Sequence, residues 1–482
     1  MTTAGDVAAR AAAFGIATDR RPADDPVTLA AHMTAVVAEL RRLGAPFFQI
    51  LDTYRLAAHS KGDDDRDPAE LDQYWQADPL SRLRHRVGEQ SAADLTAAAE
   101  ARVDVAVAAA EAAPLSAIDP AAEVDAFQRQ GHVAGVTPAL VASLADPAPL
   151  VVQNLNTALH GLFAEHEEVL LIGEDLLDPY GGAFKVSRGL SSKFPLRVLS
   201  TPISEAAIIG LGSGLGLRGL RPIVEIMFGD FLALGADQIL NHLAKFHWMY
   251  NRQVETPVVI RTPVGGHRGY GPTHSQSIEK MFLGVPGLVV VAISLRHDPG
   301  ALLRHAVLDD PRPVLFLEQK ILYAKRLPTV PPVGLELTPC DGETDALYPT
   351  GCWRPLGASA DVTVVTYGAM TEMAEQAIAR SFEAEEVLCE YLVVSQLAPL
   401  RIEPILDSVR RTGRLVVIEE GTAPWGFGAE VVARIAESAA AQSLRCARVG
   451  AHQLPIPNAR TAEQRVLPDV ERIVQAIRTV MR

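Results

Sequence analysis

A chain of 482 residues with 48% hydrophobic and 21% charged residues has the composition of a globular protein and the length of two to four domains. Its net charge of −14, without a dense block of Lys or Arg, argues against nucleic-acid binding. No apolar run approaches the ~20 residues of a membrane span, and the N-terminus has no secretory signal. The four cysteines (Cys340, Cys352, Cys389 and Cys446) form no C-x-x-C motif. We therefore expect reduced thiols and a cytoplasmic protein.

Residues 1–90 have the pattern of an incomplete α/β unit. Apolar residues recur at helical spacing from Val27 to Leu43, and a strand candidate follows at residues 46–51. The run of three aspartates at 63–65 is more typical of a solvated loop than of a metal site. Residues 91–150 then predict a helical arm, which ends before Pro114, and a proline-punctuated linker.

From residue 151 onward, apolar runs of strand length alternate with helical segments. This alternation predicts parallel sheets covered by helices on both faces. We expect one α/β domain at 151–330, a Pro-rich linker at 331–359 and a last α/β domain at 360–482. The strand candidates are residues 169–173, 222–226, 257–260, 288–291, 314–317, 362–365, 391–394 and 415–418.

The stretch from Gly214 to Gly219 fits the dinucleotide-binding pattern G-x-G-x-x-G. That motif should follow a strand and open a helix. Here the glycines continue a series of small residues inside an expected helix that follows Glu205. Close packing of this helix is the better interpretation.

Two motifs carry candidate catalytic groups. Thr201-Pro202-Ile203-Ser204-Glu205 delivers one carboxylate after a short apolar approach, and Gly271-Pro272-Thr273-His274-Ser275-Gln276-Ser277 delivers one imidazole. A fixed carboxylate and a fixed imidazole in one α/β domain suit proton-transfer chemistry.

These two motifs belong to a longer ordered series across residues 150–480. The series resembles the beta subunit of the decarboxylating first component of 2-oxo acid dehydrogenase complexes, of the pyruvate, acetoin and branched-chain types. The resemblance implies a thiamine diphosphate-binding (transketolase-like) α/β fold with a transketolase C-terminal-like domain that builds a dimer interface. The matching motifs are Gly173-Glu174-Asp175, Tyr180 to Lys185, Thr201 to Glu205, Gly219 to Pro222, Asp237-Gln238 and Gly271 to Ser277.

The resemblance also implies roles for individual residues. Glu205 matches the glutamate that hydrogen-bonds the cofactor's aminopyrimidine ring, although a helix-start carboxylate could also serve the helix dipole. Phe231 matches the aromatic residue stacked on that ring. Ile203 and Met227 would line the same pocket, with core packing as an equally good explanation. Glu174 matches a second carboxylate near the cofactor.

The histidine of the second motif, His274, matches a family residue that faces the substrate side and handles the oxo acid or the acyl group. As a lone loop histidine it would be unremarkable. Its setting within Gly271 to Ser277 favours the functional interpretation.

Residues 5–110 resemble the C-terminal part of the alpha subunit of the same enzymes, through Arg10 to Ile16, Thr53-Tyr54-Arg55, His59-Ser60, Trp75 and Asp78-Pro79-Leu80. By this resemblance His59 contacts the cofactor or an intermediate, and Arg55 orders the His59 loop. The family's Gly-Asp-Gly motif and its Asn partner, which hold Mg²⁺ and the diphosphate, have no counterpart in this sequence. We therefore expect no metal ligands here and a separate polypeptide that supplies that half. A dead remnant of an enzyme is the competing interpretation.

The expected function is that of one subunit of a split thiamine diphosphate- and Mg²⁺-dependent enzyme, arranged as a dimer of heterodimers. It would decarboxylate a 2-oxo acid and pass the acyl group to a lipoyl acyltransferase partner. A carboligase that joins the fragment to a second carbonyl compound is the first alternative, and a non-catalytic scaffold subunit is the second.

Overall fold

The computed structural model describes residues 5–58, 65–115, 117–137, 139–141, 144, 146–340, 342–438 and 444–482. The chain forms two compact units, Met1–Ala117 and Ile118–Arg482. Their boundary falls inside the segment 91–150 that was expected to be an arm and linker. Within the described ranges, no helix combines the length and apolar character needed to cross a bilayer.

The first unit places helices around a small parallel pair of strands. Its elements are α1 (Val7–Ala12), β1 (Ala17–Pro22), α2 (Pro26–Leu43), β2 (Phe47–Asp52), α3 (Pro68–Gln76), α4 (Pro79–Val87) and α5 (Glu89–Ala112). Helix α2 begins where the Asp25 carboxylate accepts from the Val27 N–H, and it ends at Gly44, whose φ of 63° suits glycine. The predicted helix after Val27, the strand at 46–51 and the long helix before Pro114 are confirmed.

This first unit has almost no interior of its own. Among its described residues only Ala11 and Ala92 are buried, whereas Phe14, Trp75 and Leu80 are exposed. An α/β unit normally covers its sheet and helix faces with other elements. The faces of this unit are therefore available to a further partner.

The second unit contains a seven-stranded sheet in its described part. Its strands are β3 (Val169–Gly173), β4 (Val198–Ser200), β5 (Arg221–Glu225), β6 (Val259–Val264), β7 (Val289–Ala292), β8 (Val314–Gln319) and β13 (Gln396–Ala398), in the order β13-β7-β8-β6-β5-β3-β4. All neighbours are parallel except β13, which joins β7 antiparallel. The flanking helices are α6 (Pro120–Arg129), α7 (Val151–Glu165), α8 (Leu190–Lys193), α9 (Glu205–Leu217), α10 (Phe246–Met249) and α11 (Pro299–Leu308).

A second sheet of six described strands follows. It has the order β15-β14-β11-β12-β10-β9, from β9 (Leu335–Thr338), β10 (Gly351–Pro355), β11 (Val362–Thr366), β12 (Cys389–Val393), β14 (Arg414–Thr422) and β15 (Arg445–Ala451). Helices α12 (Met370–Glu385), α13 (Glu403–Thr412), α14 (Phe427–Ala436), α15 (Arg460–Val466) and α16 (Val470–Met481) complete it. All eight predicted strands of the two sheets are present. The expected linker 331–359 instead contributes β9 and β10. These strands pair antiparallel, β10 also pairs with β12, and β9 forms one edge of the sheet.

The antiparallel pairing of β9 and β10 corrects the cysteine prediction. Cys352 lies opposite Thr338 in this ladder, two residues before Cys340. The two cysteines form a disulfide with a Cα–Cα distance of 6.3 Å, while Cys389 and Cys446 are free. The expectation of four reduced thiols was wrong because strand pairing, which residue spacing does not reveal, brings two of them together.

Gly214 and Gly216 lie inside helix α9, as the packing interpretation predicts, and Gly219 follows the end of the helix with a φ of 84°. A side chain at Gly216 would lie 3.0 Å from Val258, the residue before β6, and Gly212 faces Val224 on β5 at similarly close range. These glycines let the helix approach the sheet closely, and they do not form a phosphate-binding turn.

Acid is expected to weaken the second unit through His297, which is fully buried near β7. Its Nε2 donates to the Pro349 carbonyl at 2.9 Å, and burial lowers its pKa to about 4 from 6.5. Between these two pH values the unfolded chain binds a proton that the folded chain excludes. Stability is therefore lost as pH falls through that window, by about 3 kcal/mol at most.

Urea midpoints of His297→Gln should fall less steeply from pH 6.5 to 4.5 than those of the wild type. A His166→Gln surface control should keep the wild-type slope, and equal slopes for all three chains would contradict the assignment.

Candidate active site

Two carboxylates meet at the carboxyl end of strand β3. Glu174 follows the strand directly, and Glu205 is the first residue of α9. The backbone N–H of Thr201 donates to the Gly173 carbonyl at 2.9 Å, which ties the approach to α9 to the same strand end. Strand ends of this kind are common positions for sites in parallel α/β sheets.

Both carboxylates are buried, with Glu174 7% exposed and Glu205 6% exposed. Burial raises the pKa of Glu174, and the neighbouring charges of Glu205 and Asp175 raise it further. Its Oε1 has no hydrogen-bond partner among the described residues. Glu205 sits at the N-terminus of α9, where the helix dipole favours a negative charge and Ser204 provides no side-chain cap. This pair can hold or exchange a proton with a basic ligand.

Phe231 reaches this corner on a 3₁₀ turn, Gly229–Gly235, that follows β5. The turn packs on the first turn of α9, because a Cβ at Gly235 would lie 3.4 Å from the Glu205 carbonyl oxygen and would overlap the Ile209 side chain. The ring of Phe231 is half-buried and packs against the core.

The imidazole of His274 packs against two aromatic rings. Its centroid lies 5.3 Å from that of Phe231 and 4.8 Å from that of Phe228, both in edge-to-face arrangements. Nδ1 is 3.0 Å from the Thr273 hydroxyl. The structure thus places Glu174 beside Glu205 and Phe231 against His274, and the turn that carries Phe231 packs on the first turn of α9. Phe228 was missed by the sequence analysis, although its place just beyond the end of β5 could have suggested it.

The two apolar candidates, Met227 and Ile203, differ in their exposure to solvent. Met227 is half-buried at the end of β5, so a pocket wall and core packing both remain open for it. Ile203 is 83% exposed in the loop before α9. Core packing was the wrong explanation for Ile203, because the loop carries this side chain outward, away from the sheet.

The candidates from the alpha-like segment belong to the first unit. Arg55 lies in the loop after β2, where its carbonyl accepts from Arg66 Nη1 at 2.5 Å, and its side chain is exposed. His59 lies outside the described residues. Within the described ranges, no group of three or more His, Cys, Asp or Glu is arranged to hold a metal ion.

Comparison with protein families identifies the second unit. A transketolase pyrimidine-binding domain matches residues 150–325, and a transketolase C-terminal domain matches residues 351–473. A solved structure described as a split gene transketolase, inactive beta4 tetramer, superposes with a TM-score of 0.52 over 69% of this chain and 98% of that one. At 20% identity this likeness shows the fold, which confirms the transketolase-like prediction.

Several relatives are more similar to this chain in sequence than the solved structure is. The pyruvate dehydrogenase E1 component subunit beta of Leifsonia xyli is 36% identical over 70% of this chain and 97% of that protein. The acetoin:2,6-dichlorophenolindophenol oxidoreductase subunit beta of Cupriavidus necator is 34% identical over 68% and 96%. The 3-methyl-2-oxobutanoate dehydrogenase subunit beta of Mycobacterium tuberculosis is 36% identical over 69% and 92%. The chain belongs to the family of beta subunits of 2-oxo acid dehydrogenase first components, a family of thiamine diphosphate-dependent enzymes.

Proposed function

We propose that this chain is the beta-type subunit of a thiamine diphosphate-dependent enzyme that decarboxylates a 2-oxo acid and transfers the acyl group to a lipoyl acceptor. The observation that supports the proposal is that the matched domain holds a buried carboxylate pair, Glu174 and Glu205, and a ring contact between Phe231 and His274. We assign these four residues to one site, in the roles that the family resemblance implies.

The donor set fits the aminopyrimidine end of the cofactor. A buried carboxylate at a helix start, a neighbouring carboxyl group with an oxygen that has no partner among the described residues, and a half-buried phenylalanine ring suit a flat, basic heterocycle. When bound, thiamine diphosphate supplies the electron sink for loss of CO₂. The sequence offers no Gly-Asp-Gly motif for the diphosphate. We therefore assign the Mg²⁺ and diphosphate ligands to the partner chain.

The chain's own residues then have distinct tasks. Glu205 holds a proton at a pyrimidine nitrogen, and Glu174, whose own pKa is raised by burial and by the charge of Glu205, lies beside it. Phe231 orients the ring, with Met227 and Ile203 as apolar walls. His274 faces the oxo acid or the departing acyl group. For Arg55 and His59 the proposal keeps the roles that the alpha-subunit resemblance implies, namely ordering of the loop and contact with the cofactor or an intermediate.

An alpha-type partner is part of the proposal. The relatives are named as beta subunits of multi-chain enzymes. The first unit supports a partner independently, because Phe14, Trp75 and Leu80 lack the cover that a complete α/β domain would give them. We assign residues 1–90 to the C-terminal part of an alpha-like domain that the partner completes, in a dimer of heterodimers.

The cofactor is expected to bind only when the partner is present. Calorimetry with thiamine diphosphate and Mg²⁺ should give no heat for this chain alone at ~1 mM ligand and a dissociation constant of about 1–10 μM for the chain with the alpha-type polypeptide encoded beside it. The chain supplies the pyrimidine end but not the diphosphate end, which is the reason for the difference. Tight binding by this chain alone would contradict the split site, and no binding in either sample would favour the scaffold function.

The complex that binds cofactor can then be screened for its substrate and acceptor. The Cupriavidus necator relative is named for reduction of 2,6-dichlorophenolindophenol, so this dye is a suitable first acceptor for a panel of 2-oxo acids. Acyl transfer to a lipoylated domain, measured beside formation of a carbon–carbon-bonded product, separates the lipoyl-transfer function from the carboligase alternative.

A further inference from the structure

The loop 265–277, which carries His274, is held at three points by carboxylates from elsewhere in the fold. Glu420, on β14, accepts from the Gly266 N–H at 2.7 Å. Glu463, on α15, accepts from the Gly269 N–H at 3.0 Å. Asp230, on the turn after β5, accepts from the Gln276 side-chain amide at 2.8 Å and from its backbone N–H at 3.3 Å.

Each of these carboxylates has a second oxygen that is buried and has no hydrogen-bond partner among the described residues. These atoms are Asp230 Oδ2, Glu420 Oε2 and Glu463 Oε1. Buried carboxylate oxygens are almost always hydrogen-bonded, so three of them around one loop call for a common explanation. Glu420 and Glu463 are 3% and 1% exposed, which keeps bulk solvent away from both.

Lys320 supplies that explanation. It follows β8 directly, is fully buried, and its Nζ has no hydrogen-bond partner in the described part of the chain. Glu420, Asp230 and Glu463 are the three carboxylates whose charges act on it. Nζ also lies 5.5 Å from the ring centroid of Phe228, the ring that contacts His274.

The amine of Lys320 remains a cation at neutral pH. Burial lowers its pKa to about 8, the three carboxylates oppose this shift, and the neighbouring Arg268 adds to it. Arg268 also donates to the Lys320 carbonyl at 2.8 Å. Lys320 Nζ and one oxygen of each carboxylate are buried polar atoms without a partner among the described residues, and an ordered water needs two to four such partners.

We propose that Lys320 is a positioning residue for His274. The ammonium group of Lys320, bridged by ordered water, offsets the negative charge of the three carboxylates that hold the histidine loop. Without this cation the three carboxylates repel one another with less positive charge to oppose the repulsion. The repulsion weakens the geometry of the charge-assisted bonds by which they hold the loop. The loop would then loosen at Gly266, Gly269 and Gln276 together.

Hydrogen exchange of the full chain tests this proposal without cofactor or partner. In Lys320→Met, peptides covering 265–277 should exchange about tenfold faster than in the wild type, because three charge-assisted bonds weaken together. Peptides of strands β6 and β8 should keep their rates. Lys325→Met is the matched control, since Lys325 pairs with Glu372 outside this cluster. An unchanged loop rate, or equal acceleration across the whole second unit, would overturn the proposal.

A second variant guards against misfolding of Lys320→Met. Glu420→Gln keeps the shape of the side chain but turns the charge-assisted bonds to Gly266 and Ser277 into neutral ones. The loop should exchange about threefold faster or more. An unchanged rate in this variant also overturns the proposal.

The catalytic consequence rests on the proposed function and is measured separately, in the complex with the alpha-type partner. Lys320→Met should lower kcat by about tenfold while KM for the oxo acid changes by about twofold or less. The reason is that a displaced His274 slows the chemical step but does not weaken substrate binding. A change confined to KM would overturn the positioning role. A loosened loop in a complex that has no activity even as the wild type would count against the proposed function and leave the loop assignment intact.

Discussion

Glu205→Gln is expected to lower turnover of the reconstituted complex by about 1000-fold or more. Glutamine preserves the shape of the side chain at the start of α9 but cannot take up a proton from a pyrimidine nitrogen. Nearby Glu174 cannot replace it, because its carboxyl group approaches the site from the end of β3. The measurement is kcat for dye-coupled oxidation of the best 2-oxo acid.

The result has meaning only if the complex still assembles. Glu205→Gln should elute with its partner at the wild-type volume in gel filtration, since residue 205 is buried within this unit and its backbone contact with Gly235 is unchanged. Glu165→Gln, which removes an exposed ion pair with Arg304, should retain full activity. Wild-type turnover by an assembled Glu205→Gln complex would show that the proton relay lies elsewhere.

His274→Ala is expected to lower kcat by about 100-fold. The Thr273 hydroxyl engages Nδ1 and the two phenylalanine rings flank the imidazole edge-on, so Nε2 is the atom left for the substrate. Affinity for thiamine diphosphate should change by about threefold or less, because Glu205 and Phe231 remain in place. Steady-state kinetics and calorimetry on the same preparation measure the two quantities.

His166→Ala serves as the comparison for this variant, since His166 is a surface residue paired with Glu168. It should retain wild-type kcat. A strong loss of cofactor affinity in His274→Ala with normal kcat at saturation would move His274 from the substrate side to the cofactor side of the site.

The strands that the sequence predicted correctly share one physical cause. Residues 169–173, 314–319 and 362–366 are buried on both faces of their sheets, so their sequences are rich in consecutive apolar residues and easy to recognise. Strand β9 lies at the sheet edge with β10 beside it, and both are short and carry polar residues, with Pro355 at the end of β10. Such a sequence resembles a linker until its pairing is known.

Only the site residues that a sequence motif or the family resemblance indicates could be predicted. Glu205 and His274 lie in local sequence motifs, and the structure places Phe231 against His274. Lys320 has no such signature, because its importance arises from Glu420 and Glu463, which are 100 or more residues away along the chain. Phe228 has none either, because its importance arises from its ring contact with His274. The exposure of Ile203 depends on the direction of one loop, which apolar character alone does not specify.

Strand β13 is synthesised long after β7, the strand with which it pairs. The outer edge of β7 stays unpaired until Gln396 to Ala398 have been synthesised, which is 104 residues after Ala292 (396 − 292). At roughly 5–20 residues per second on the ribosome, that edge stays open for about 5–20 s. An open apolar edge invites pairing with other chains. A gene fragment that stops at residue 330 would leave this edge open permanently, so the matched pyrimidine-binding segment is expressed safely only together with the sequence that follows it.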